Sequence, residues 1–96
     1  MRVKFHPEAR AELREAKRWY RDRSPLAALA FGQMMEEAVG SIAAAPLRYS
    51  IGEFDTREYI FPRRFPYTVV YRIRTNDIVV VAIAHQSREP GYWHNR

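Results

Sequence analysis

Cysteine is absent from this 96-residue chain. That excludes a disulfide scaffold, a thiolate metal site and a cysteine nucleophile. Glycine is scarce, with four residues and no two adjacent, so a glycine-rich phosphate loop cannot form. Three histidines are too few to expect a structural zinc site. The chain is read as needing neither a metal nor a cofactor. No run of about 18 apolar residues occurs, which excludes a spanning helix. The opening Met1-Arg2-Val3-Lys4-Phe5 turns polar too early for a signal peptide. The expectation is one soluble, cytoplasmic domain over residues 1–96. A hydrophobic content of 47%, with 14% aromatic residues, is enough to build its core.

Lysine is nearly missing as well. Of 16 basic side chains only Lys4 and Lys17 are lysine; the rest are arginine. Arginine presents a planar fork that grips phosphate and stacks on bases, although a GC-rich genome also raises its frequency. The net charge of +5 is uneven. Residues 1–23 carry eight bases and four acids, residues 24–56 one base and four acids, and residues 57–96 seven bases and three acids. Two basic blocks around an acidic one suggest a face for a polyanion and another of different character.

Val3 and Phe5 alternate with Arg2 and Lys4, which reads as a short strand. Pro7 suits the first turn of a helix that runs to about Arg23. Ala9, Leu13, Ala16 and Tyr20 form its apolar stripe. Its charges, Arg10, Arg14, Lys17, Arg18 and Arg21 among Glu8, Glu12 and Glu15, read mostly as a solvated face. Ser24-Pro25 restarts a second helix to about Ala45, with Ala27, Phe31, Met34, Ala38 and Ile42 inward. Residues 46–56 read as a loop. Tyr59 and Phe61, then Phe65, Tyr67, Val69, Tyr71 and Ile73, alternate as strands. Thr75-Asn76-Asp77 is a turn. Ile78–Ala84 is apolar on both faces, as a covered strand requires. Helices first and strands last predict an α+β fold, the two-helix hairpin packed on a mostly antiparallel sheet of about four strands. The other sheet face is expected to be partly open, with Arg72 and Arg74 pointing to it.

The acidic residues form no obvious catalytic pair, and the sequence has no nucleophile elbow and no His-Glu metal signature. The candidate site is therefore built from Arg, His and Tyr, a set that suits metal-independent phosphodiester chemistry. Histidine moves a proton, arginine neutralises the phosphate, and tyrosine donates or stacks. His85 follows the apolar strand, where side chains stand at the rim of a sheet. Arg88 is within reach of the same pocket, and Tyr92 brings a hydroxyl. These three are the candidate catalytic residues. Trp93 and part of Tyr92 are expected to pin the terminus to the sheet. Arg63 and Arg64, in the Pro62–Pro66 turn, join Arg72 and Arg74 as candidate nucleic-acid contacts.

Three segments together resemble one family: Arg63-Arg64-Phe65-Pro66-Tyr67-Thr68-Val69-Val70-Tyr71-Arg72, Ala82-Ile83-Ala84-His85, and Arg88-Glu89-Pro90-Gly91-Tyr92-Trp93. With Phe5, Ala9, Glu12, Leu13, Ala16, Trp19 and Tyr20, they are similar in order and spacing to the RelE/ParE superfamily of bacterial toxins. The resemblance implies a curved sheet under an N-terminal helical hairpin. It implies a type II toxin–antitoxin module, of the plasmid-stabilisation kind, with a cognate antitoxin as partner in a hetero-oligomer. It also implies growth arrest by one of two routes. RelE-like members cleave mRNA on the ribosome without a metal, as mRNA interferases; ParE-like members inhibit DNA gyrase and cut nothing. In the nuclease branch an arginine often stands three residues before the strand tyrosine, where this chain has Thr68. Messenger RNA cleavage is the first functional reading, with Arg64, Arg72 and Arg88 on phosphate and His85 or Tyr92 moving the proton. Gyrase inhibition, or a degenerate toxin that only binds its antitoxin, is the alternative.

Overall fold

The computed structural model describes residues 1–96. The elements are β1 (Arg2–Phe5), α1 (Pro7–Arg23), α2 (Pro25–Ala44), β2 (Ser50–Ile51), β3 (Arg57–Ile60), β4 (Tyr67–Ile73) and β5 (Asp77–His85). Both helix starts follow from local chemistry. His6 Nδ1 accepts from the Glu8 amide ahead of Pro7, and Ser24 Oγ accepts from the Ala27 amide ahead of Pro25. Each proline occupies a position whose amide has no helical partner.

The five strands form one sheet in the order β1-β5-β4-β3-β2. β1 runs parallel to β5 and every other pairing is antiparallel. The α+β expectation is met, with one strand more than about four. The extra strand is β2, inside the segment read as a loop. Two residues carry no periodicity that a sequence could display. Its neighbourhood is fixed by polar bonds: Arg57 donates to the carbonyls of Leu47 and Tyr49, and the Tyr71 hydroxyl to that of Pro46.

α1 and α2 cover one face of the sheet. The core there stacks Tyr20 on Phe31 and sets Phe65 and Tyr67 edge-on to both, above Val69, Tyr71, Ile78 and Val80. The opposite face, expected to be partly open, is covered by the C-terminal segment. Trp93 is buried against Val70, Val81 and Ala82, with Tyr92 beside it. The expected pinning of the terminus is therefore present. Gly91, in the left-handed region at φ 76°, lets the segment turn under Phe54; a Cβ there would meet the Phe54 ring at 3.1 Å.

A bulge in β5 decides which way its end points. Val70 pairs with Ala82 and Tyr71 with Val80, so Val81 has no partner. Ile78 and Val80 join the helix-side core, Val81 and Ala82 both join the tail side, and Ile83 returns to the helix side. Strict alternation would have placed His85 with Val79 and Val81. The bulge re-aims it toward the helices. No helix is long and apolar enough to cross a membrane.

Candidate functional site

Two cavities meet at the end of β5. The larger, about 530 Å³, lies between α1 and the sheet; Glu15, Trp19 and Tyr20 form one wall and Arg64, Tyr67, His85 and Arg88 the other. The smaller, about 130 Å³, lies on the tail side, where Thr68, Glu53, Glu58, Glu89 and Tyr92 surround the same His85 and Arg88. The bulge and strand end give His85 a place in both. The first wall carries aromatics beside Glu15, and the second cavity carries three carboxylates.

His85 stands edge-on to Tyr67, ring centroids 5.1 Å apart. Its Nδ1 accepts the backbone amide of Ser87 at 3.0 Å, with Ser87 Oγ at 2.8 Å. An accepting Nδ1 puts the proton of the neutral ring on Nε2. His85 thus offers a donor at Nε2.

Glu12 lines the larger cavity as well, and its carboxylate accepts three hydrogen bonds. Oε1 accepts from the Ile83 amide at 3.0 Å and from Arg96 at 2.9 Å, and Oε2 accepts from the Tyr92 hydroxyl at 2.7 Å. β1 ends opposite Val80, so β5 has an open edge beyond it. Glu12 takes the Ile83 amide, Arg96 donates to the Val81 carbonyl, and the two side chains stand in for a missing strand. Burial, reinforced by the bond to Glu12, pushes the Tyr92 phenol far above its ordinary value. Burial works against the charge of Arg96, but the bond and field of Glu12 outweigh it.

The candidate residues are only partly brought together. Arg88 lies 3.8 Å from the centroid of the Tyr92 ring and 4.0 Å from Glu12, so Arg88, His85 and Tyr92 are neighbours. The Tyr92 hydroxyl, however, is committed to Glu12. Arg64 reaches the larger cavity from above Phe65. Arg63 is exposed in the same turn. Arg72 is on the tail side, as expected, but it donates to the carbonyls of Arg96 and Phe54. Arg74 sits at the far end of β4 beside Asp77. No group of three or more His, Asp or Glu side chains is arranged to hold a metal ion.

The family model of the ParE toxin of the type II toxin–antitoxin system, parDE, matches residues 3–90. The chain belongs to the ParE toxin family. A solved structure described as "Chromosomal ParDE TA system from P. aeruginosa" is similar at 22% identity, with a TM-score of 0.75, covering 88% of this chain and 95% of that one. That likeness shares the fold. No curated protein matches the chain significantly. Within this ParE-family fold, sequence reasoning passed over Glu12 and Arg96, which organise the site. Glu12 did carry a signal: at i+3 from Ala9 and i−4 from Ala16 it borders the apolar stripe of α1, where a carboxylate needs partners. Arg96 carried none.

Proposed function

We propose that this ParE-family chain is the toxin of an antitoxin-neutralised pair and that it poisons DNA gyrase by binding, without cutting RNA. One observation carries this reading. Thr68, where nuclease relatives often have an arginine, lines a cavity with Glu53, Glu58 and Glu89. A scissile phosphate develops negative charge in the transition state and needs cations or donors there; Arg88 and His85 line this cavity too, but three carboxylates stand against them. The Tyr92 proton is held by burial and by Glu12, which withdraws one of the two candidate proton donors. This reverses the order in which the sequence alone ranks the two routes. The cleavage reading keeps one support, the Nε2–H of His85 beside Arg64 and Arg88 in the larger cavity. For the antitoxin, the apolar groove of about 400 Å³ between the helices, floored by Leu13, Met35 and Val39, supports an apolar segment as occupant.

The test pairs a supercoiling assay using purified toxin and gyrase with primer extension on a defined transcript after brief induction. Inhibited supercoiling with intact transcripts is the expected result. Cuts within codons that vanish in His85→Ala would overturn it and restore ribosome-dependent cleavage.

A further inference from the structure

We propose that the solvent face of α1 is a docking stripe for the phosphate backbone of duplex DNA. At 100° per residue, the helix divides into three arcs. Ala9, Leu13, Ala16 and Tyr20 face the core. Glu8, Glu12, Glu15 and Asp22 occupy a second arc with Trp19. Arg10, Arg14, Lys17, Arg18 and Arg21 fall within the third, an arc of about 100°. All five are exposed, and none has an acidic partner within ion-pair distance.

The pattern is not explained by an arginine-rich composition, which would scatter bases around the helix. Nor is it explained by stability. Arg10–Arg14, Arg14–Arg18 and Lys17–Arg21 are like-charge neighbours four residues apart, an arrangement that destabilises a helix. Glu15 and Asp22 stand three and four residues from Arg18 but are not within ion-pair distance of it, and Glu12 is committed to Ile83, Tyr92 and Arg96. From Arg10 to Arg21 the stripe runs about 16 Å, a length over which one DNA strand carries about five phosphates.

The occupant follows from what the stripe lacks. Single-stranded nucleic acid is held by aromatic platforms between the cations, and no aromatic lies on this arc; Trp19 is on the opposite side. An acidic protein segment would want apolar anchors, and those lie next door in the inter-helix groove, along which Lys17, Arg21 and Glu36 stand unpaired with one another. Arg10, Arg14 and Arg18 stay outside that groove and are exposed, Arg10 with its guanidinium 5.5 Å from the centroid of the Phe5 ring. A straight row of cations without anchors fits a duplex backbone. This deepens the gyrase reading, on which the choice of DNA rests, by giving the toxin a grip on the DNA which that enzyme holds. The test uses DNA without gyrase, so either idea can fail alone.

The full-length toxin is titrated against a fluorescent DNA duplex from about 50 to 200 mM salt, a range over which backbone contacts weaken steeply. The variants are Arg10→Gln/Arg14→Gln/Arg18→Gln and, as control, Arg2→Gln/Arg23→Gln/Arg48→Gln, three exposed bases outside both the stripe and the candidate site. The helix variant is expected to fold at least as well as the parent, since repulsion is relieved; its melting curve checks this. Its plot of log affinity against log salt should lose a slope of about 2–3, at about 0.9 per phosphate contact, with affinity down at least tenfold, while the control stays close to the parent. Unchanged binding by the folded helix variant would overturn the proposal, as would loss confined to the control. Absence of duplex binding by the parent overturns it too. Equal or tighter binding of a single strand, with quenching of Trp19, would overturn it in favour of the aromatic cavity.

Discussion

The two faces of the sheet are closed by different physics. On the helix side 13 buried residues form one apolar cluster, rich in interlocked aromatic rings. On the tail side the cluster has four, too few to hold a cover by burial alone. Directed polar bonds make up the difference: Glu12 to Tyr92 and Arg96, Arg96 to Val81, and Arg72 to the Arg96 and Phe54 carbonyls. Burial is tolerant of direction, and hydrogen bonds are not. The face held by few, directed contacts is therefore the one that fixes where Arg88 and Tyr92 sit. His85 stands at the seam, delivered there by the bulge at Val81.

The sharpest way to break this comparison is to damage each face separately. Phe31 is fully buried at the centre of the aromatic stack, and Phe31→Ala should cost about 3–5 kcal/mol. Urea unfolding should show one cooperative transition at a much lower midpoint, because both helices and the sheet depend on that cluster. A loss under about 1 kcal/mol would mean that the core collapses around the gap. Glu12→Ala should cost less, about 2–3 kcal/mol, by leaving the Ile83 amide, Tyr92 hydroxyl and Arg96 guanidinium without their acceptor. Its signature should also be local. Trypsin should cut after Arg88 in the folded variant and spare the parent, and Glu12→Gln, which keeps an acceptor oxygen for Ile83, should recover part of the protection. Equal resistance of Glu12→Ala and the parent would mean that Trp93 and its neighbours hold the tail without help.

The same contrast explains what the sequence made legible. The helix side was readable because burial leaves a period: Ala9, Leu13, Ala16 and Tyr20, or Tyr67, Val69, Tyr71 and Ile73, mark their faces by spacing. The tail side was legible only where an aromatic marked it, as at Trp93. Its bonds join residues up to 84 positions apart, as between Arg96 and Glu12, and long-range polar pairing has no local signature. The bulge was hidden for another reason. Ile78–Ala84 is apolar throughout, so the extra residue at Val81 leaves no break in the pattern. The strand was therefore predicted correctly, but the direction of His85 was not derivable from it. The segregation of the α1 bases was open to a helical projection, yet it gains meaning only once the ion pairs are known, because acids elsewhere in the fold could have neutralised them.

The smallest expected effect separates the two faces by pH. Tyr20, Tyr59, Tyr67 and Tyr71, which belong to the helix-side core, and Tyr92, on the tail side, are all held above their ordinary value, chiefly by burial. For Tyr92 the bond to Glu12 adds to that. A raised folded value means that the native protein keeps a phenolic proton which the unfolded chain has released. Stability is then fully present below the unfolded value, about 10, and falls as the pH rises through and beyond it. Tyr92→Phe removes one titrating group and one hydrogen bond. At neutral pH it should cost about 1 kcal/mol. Between about pH 9 and 11 its urea midpoint should fall less steeply than that of the parent, so that the two curves converge. Parallel curves across that range would mean that the Tyr92 proton is not coupled to folding, and that the alkaline loss comes from the helix-side tyrosines alone.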